Sequence, residues 1–150
     1  MADRSFVADN EKERRRLTAL VGRLSDQDLG RPMNGGWTVA SVLAHLAFWD
    51  ERVVVLLDQW GADGRGRAPQ PNAEADVDWI NDAGKLLCLA LPPRVAANLA
   101  VKAAEAVDGR LAGLSDGLLA ALGAAGGPIR LSRADHRREH LDEIESALRA

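Results

Sequence analysis

An all-α fold, a four-helix bundle with a long crossover, is what this sequence predicts. Three observations carry that expectation. Alternation of β-branched and polar residues is missing throughout, apolar residues recur at three- and four-residue spacing in four long stretches, and Gly- and Pro-containing segments separate those stretches. At 150 residues the chain fits one domain, 1–150, long enough to bury a core. A less regular helical array with the short helices inside the core would show the same periodicity.

The first helix is expected from about Ser5 to Leu24, with Phe6, Leu17, Leu20, Val21 and Leu24 on one face and Asn10 and Arg14 interrupting it. A polar turn, SDQDLGRPMNGG, follows. Thr38 then caps a second helix, with Trp37 packed against Val42, and a stripe of Val39, Val42, Leu43, Leu46, Val53 and Leu57 carries it to about Trp60. Residues 61–72 read as a non-helical connection, and a short helix is expected from about Asp76 to Leu91. Pro92 breaks that helix and Pro93 opens the third long one, whose seam reads Val95, Leu99, Ala103, Val107, Leu111 and Leu114. The segment 61–92 is long enough to be a crossover containing a short helix. After a helical turn in SDGLLAAL, Ser132 and Asp135 resemble a capping box for the last helix, which runs through Leu141, Ile144 and Leu148.

Charge and composition exclude several partners. With 19 basic and 22 acidic side chains the net charge is −3, so no strong positive field draws nucleic acid or anionic lipid. No apolar run approaches the roughly 18 to 20 residues of a membrane span, and the first residues lack a signal-peptide core. These features predict a soluble, cytoplasmic protein with neither nucleic acid nor membrane as partner. A single cysteine, Cys88, excludes an internal disulfide framework and, within LLCLAL, reads as an inert buried thiol. The basic clusters ERRR and HRRE are interleaved with acids and read as solvated faces. Trp37, Trp49, Trp60 and Trp79 read as core and boundary packing, with Trp49 the best placed to wall a pocket.

Three histidines remain. His136 and His140 stand at i and i+4 in RADHRREHLDEI, so on a helix both rings leave one face a turn apart, which is the spacing metal chelation uses. His45 sits within the apolar WTVASVLAHLAFWD, where an unpaired imidazole is costly to bury. One reading explains all three: a metal site with one ligand from the second helix and two from the last. Zn²⁺, Ni²⁺ and Fe²⁺ all accept imidazoles, and three protein ligands leave coordination positions open.

Three segments together, GGWTVASVLAHLAFWDER (35–52), VDWINDA (77–83) and ADHRREHLDEIESAL (134–148), resemble the DinB-like superfamily. This family, also called YfiT-like metalloenzymes, is related to the metal-binding domain of mycothiol-dependent maleylpyruvate isomerase. The resemblance covers essentially the whole chain. It implies a four-helix bundle in up-down-down-up order, a divalent metal on His45, His136 and His140, and pairing into a homodimer. It also implies thiol-dependent S-transfer to a small electrophile, with a low-molecular-weight thiol such as mycothiol or bacillithiol as cosubstrate. The Arg-for-Lys, Ala-rich composition, typical of high-GC bacteria, favours mycothiol. In the isomerase branch the position of His136 carries Glu and a further domain follows, so isomerase activity itself is not implied. A non-catalytic metal- or ligand-binding stress protein of the same fold is the alternative.

Five further residues are candidates for the pocket or its surroundings. Arg52, seven residues after His45, can hold a carboxylate near the metal, and Trp49 lies one turn from His45. Glu143 can accept a hydrogen bond from a ligand or act as a base. Asn10 and Asn81 interrupt apolar surroundings, which places them at a polar pocket or in a helix cap.

Overall fold

The structure, a computed structural model, describes residues 2–61, 66 and 74–150. It is all-helical, with no strand among the described residues, which agrees with the predicted class. The helices are α1 (Ser5–Arg23), α2 (Asp26–Leu29), α3 (Val39–Trp60), α4 (Glu74–Ala90), α5 (Pro93–Ala112), α6 (Asp116–Ala124) and α7 (Ala134–Arg149). Apart from Gly61 and Gly66, the expected connection 61–72 lies outside the described residues. α3 packs along α5, α1 lies against α5 and α7, and α3 also touches α4 and α7. No helix among the described residues is long and apolar enough to cross a membrane.

Local chemistry explains most of the boundaries. Thr38 caps α3 as expected, and Ser41 completes a reciprocal box: the Thr38 hydroxyl accepts from Ser41 N at 3.1 Å while Thr38 N donates to Ser41 Oγ at 2.8 Å. Gly35 and Gly36, at φ 71° and 78°, supply the left-handed backbone that turns the chain into this cap. The preceding polar turn holds a four-residue helix, α2, closed by a box between Ser25 and Asp28. Pro93 occupies the first turn of α5, where its missing N–H costs nothing.

The helix after the connection, Glu74–Ala90, lies within two residues of its expected bounds. Several expectations are corrected. Trp79 of that helix is 59% exposed, so this tryptophan is not packing in the core. The α5 seam holds at Ala103, Val107, Leu111 and Leu114, which are buried, but not in its first turns: Val95 and Leu99 are exposed, and Ala96, Ala97, Ala100 and Ala104 face inward. Small side chains on that face let α5 sit close to α3, which larger residues would prevent. The capping box of Ser132 and Asp135 does not form. Instead Asn10, from α1, accepts hydrogen bonds from Arg133 N at 2.7 Å and Ala134 N at 3.1 Å and donates to Leu131 O at 2.9 Å. Asn10 thus caps α7 from a different helix, satisfying donors that a local cap would otherwise take.

The interior has two apolar clusters. One gathers Leu17, Leu20, Leu43, Leu46, Ala100, Leu141 and Ile144 among others. The other gathers Phe6, Val53, Leu57, Trp60, Val107, Leu111 and Leu122, with α6 packed over it. Along α1, α3 and α7, buried polar residues stand between or beside them: Asn10, Asp50 and Arg137. Arg137 is fully buried, which corrects the solvated reading of the HRRE cluster. Its guanidinium takes both oxygens of Asp108, at 2.8 and 2.9 Å, one oxygen of Asp50 at 3.1 Å and the carbonyl of Asn10 at 3.0 Å. Arg133 binds the other Asp50 oxygen at 2.9 Å, and Arg14 reaches Asp108 at 3.0 Å. In the ERRR cluster, Glu13 is likewise buried and pairs with Arg16 and Arg138.

Removing a guanidinium from such a network leaves buried carboxylates short of compensation, at about 3 to 5 kcal/mol for a broken buried pair. Arg137→Ala is therefore expected to lower the thermal midpoint by about 6–20 °C at this chain length. The exposed pair Arg15–Glu11 should by contrast contribute only about 0.3–0.5 kcal/mol, so Arg15→Ala should leave the midpoint within about 2 °C. Calorimetry of the two variants checks both values.

Candidate metal centre

The α3 cap and the α7 cap set the height of the histidines along their helices. His45 stands on the second turn of α3, and His136 and His140 stand on the first two turns of α7. Their Nε2 atoms converge. His136 Nε2 is 3.1 Å from His45 Nε2 and 3.1 Å from His140 Nε2, and the three ligand atoms all lie within 4.8 Å of one another. Among the described residues this is the one such grouping of His, Cys, Asp or Glu.

The donor set fits a divalent ion. Imidazoles held at metal–nitrogen distances of about 2.0–2.1 Å, with angles between octahedral and tetrahedral, place their nitrogens roughly 2.9 to 3.4 Å apart. The observed 3.1 Å falls inside that interval. Charge state fits as well. Burial, with the neighbouring His140, pushes His45 down to about 4, and burial with His140, His45, Arg133 and Arg130 pushes His136 down to about 2. Both rings are therefore neutral at pH 7 and offer a lone pair, which metal ligation requires. His140 Nδ1 lies 3.0 Å from Glu143 Oε2, so its Nδ1–H donates to the carboxylate and Nε2 is left free to coordinate.

Around the triad, Trp37 meets the His45 ring edge-on, with centroids 5.7 Å apart. Lys85 of α4 donates to Gly35 O and lies 5.5 Å from the Trp37 ring centroid, tying α4 to the turn that carries this tryptophan. The histidines open onto a cleft of about 1990 Å³ between α3, α4 and α7. Trp49 and Asn81 both line it, and Trp49 Nε1 donates to Asn81 Oδ1 at 2.8 Å. Arg52 lines it too, its guanidinium carbon 5.4 Å from the Trp49 ring centroid. Of the five further candidates, Trp49, Arg52, Asn81 and Glu143 are gathered around the cleft. Asn10 lies at the α7 cap instead. Cys88 is half-buried on α4, and burial raises its pKa.

Sequence reasoning passed over the residues that hold the site in place: Asp50, Asp108, Arg133 and Arg137. The signal was present. Asp50 falls on the stripe Leu43, Leu46, Val53, Leu57, Asp108 on the stripe Ala104, Leu111, and Arg137 on the stripe Ala134, Leu141, Ile144. Opposite charges on three inward faces signal mutual pairing.

The histidine environment predicts an acid sensitivity. The unfolded chain protonates His45 and His136 near the ordinary 6.5, whereas the folded values are depressed to about 4 and about 2. Stability is thus full above pH 6.5 and is lost as pH falls toward the folded values. The unfolding midpoint of chelator-treated protein is expected to drop from pH 7 to pH 5, and His136→Phe should flatten that drop. A midpoint unchanged over this interval would contradict neutral, buried rings.

Comparison with known protein families matches the chain to the model of the DinB superfamily over residues 10–143, a stretch that holds all three histidines. No curated protein and no solved structure matches. With most of its length matched, including both halves of the histidine site, the chain belongs to the DinB superfamily.

Proposed function

We propose that this protein is a divalent-metal-dependent enzyme transferring a low-molecular-weight thiol, of the mycothiol type, to a small electrophile. The observation that carries it is the convergence of three Nε2 atoms, two of them on neutral buried rings, at the floor of an open cleft. His45, His136 and His140 would hold the ion, with zinc, nickel or iron all compatible with an all-imidazole set. Bound there, a divalent ion supplies Lewis acidity that favours the thiolate form of a thiol near pH 7.

The chain's own groups divide the remaining work. Glu143 holds the His140 tautomer, Trp37 packs against His45, and Asn81 orients Trp49 as a wall of the cleft. With the three histidines committed as ligands, the protein groups left to accept the thiol proton are cleft carboxylates, of which Glu139 and Glu143 stand on the histidine helix α7. The same reading takes residues 1–150 as one domain working in the cytoplasm as a homodimer. It also takes α1, α3, α5 and α7 as an up-down-down-up four-helix bundle, with α4 in the crossover. The packing of α3 on α5 and of α1 on α5 and α7 supports that order.

Protein purified without a histidine tag should carry close to one divalent ion per chain, and His140→Ala should lose it. Metal-free protein whose stability is unchanged by chelator would overturn the metal reading. With mycothiol and monochlorobimane, the loaded protein should accelerate conjugation and the chelated protein should not. Metal bound without any acceleration would overturn the transferase and favour the alternative, a non-catalytic metal- or ligand-binding stress protein.

A further inference from the structure

Two arginines of the cleft have no carboxylate partner among the described residues, although acids line other parts of it. Arg133 is neutralised by Asp50 at 2.9 Å. Arg52 and Arg130 also line the cleft, yet among the described residues neither side chain has a carboxylate or a hydrogen-bond acceptor. Arg52 is half-buried and lies against Trp49, which Asn81 holds in turn. A guanidinium steadied on an aromatic face, with its N–H fork unfilled, is pre-organised for a planar oxyanion. Its surroundings do not favour the bare cation: burial and the nearby Arg133 both lower the Arg52 pKa. The acids of the same cleft sit elsewhere. Asp135 is paired with Arg138, Asp142 with Arg16 and Glu143 with His140, while Asp78, Asp82 and Glu139 are exposed to screening solvent.

We propose that Arg52 forms an anion subsite, so that the ligand of this cleft carries a carboxylate or phosphate at one end. The other end, a thiol or electrophilic centre, lies at the histidines, and only that half of the inference rests on the metal-dependent reading. Arg52 follows His45 by seven residues, about 10 Å along the helix axis, which sets the length of ligand that bridges both ends. Both partners of the proposed transfer, thiol and electrophile, could supply the anionic group.

Two probes of equal length, 6-mercaptohexanoate and 6-mercaptohexanol, separate the charge from the chain. Titrated into zinc-loaded protein, the carboxylate should bind about tenfold more tightly than the alcohol. Arg52→Gln should abolish the difference while keeping zinc stoichiometry, unfolding midpoint and alcohol affinity. Arg52→Lys, with the charge but not the fork, should fall between. Equal binding of the two thiols by the wild type, or a preference surviving in Arg52→Gln, would overturn the subsite. A second arm needs no metal: hexanoate or inorganic phosphate added to chelator-treated protein should change tryptophan fluorescence saturably, because Arg52 lies on Trp49. Arg52→Gln should remove that change. The tighter of the two anions identifies the group the subsite takes, and no saturable change with either overturns the proposal. If zinc fails to bind while this arm succeeds, the metal reading fails and the anion subsite stands.

Discussion

Arg137 joins four helices, α1, α3, α5 and α7, through one side chain. Rooted on α7, it meets the Asn10 carbonyl on α1, Asp50 on α3 and Asp108 on α5, and it is wholly removed from water. Burying that charge costs several kcal/mol, which the surrounding carboxylates offset only where their oxygens meet its N–H groups in good geometry. Its Nε alone lacks a partner. Such a network contributes little net stability compared with an apolar core of the same shape, and its importance here is register. His136 directly precedes Arg137, and Asp50 follows His45 by five residues. A one-residue rotation of α7, about 100°, would pull Arg137 from its carboxylates and swing His136 and His140 away from His45. The ionic contacts and the histidine triad are therefore two readouts of one helix alignment.

That coupling explains what the sequence displays and what it conceals. Helical periodicity located α1, α3, α5 and α7, because each buries a stripe that repeats every three or four residues. It finds the C-terminal part of the α5 face, Ala103 to Leu114, but not the N-terminal part, where alanines are inside and Val95 and Leu99 outside. Hydrophobicity ranks valine and leucine above alanine, but the close approach of α5 to α3 selects for size. The α7 cap was assigned to Ser132, the local candidate, whereas Asn10 supplies it from a helix 123 residues earlier. Local spacing carries no information about such a partner. The histidines were legible because imidazoles are few and two sit one turn apart. The ionic support was less so, since Arg137 lies in a run of charges that looks solvated until the inward stripe is traced through it.

The site combines two kinds of preparation. Depressed His45 and His136 keep their lone pairs available at neutral pH, and Glu143 fixes the third ring, so the ligand atoms need no rearrangement to accept an ion. The cleft beside them is built differently. α4 buries no side chain completely among its described residues, and it touches the rest through Asn81, Lys85 and Cys88. Part of the cleft wall thus rests on a helix with no fully buried side chain, while the histidine floor rests on α3 and α7.

X-ray absorption spectroscopy of the zinc-loaded protein tests the histidine assignment most directly, because it counts ligands without reference to any reaction. Three imidazole nitrogens at about 2.0–2.1 Å, with the remaining positions filled by exchangeable oxygen or added thiol sulfur, are the expected first shell. His45→Ala should reduce the imidazole count by one. A shell with fewer than three imidazoles in the wild type, or one unaltered by His45→Ala, would contradict the convergence of α3 and α7 on a single metal centre.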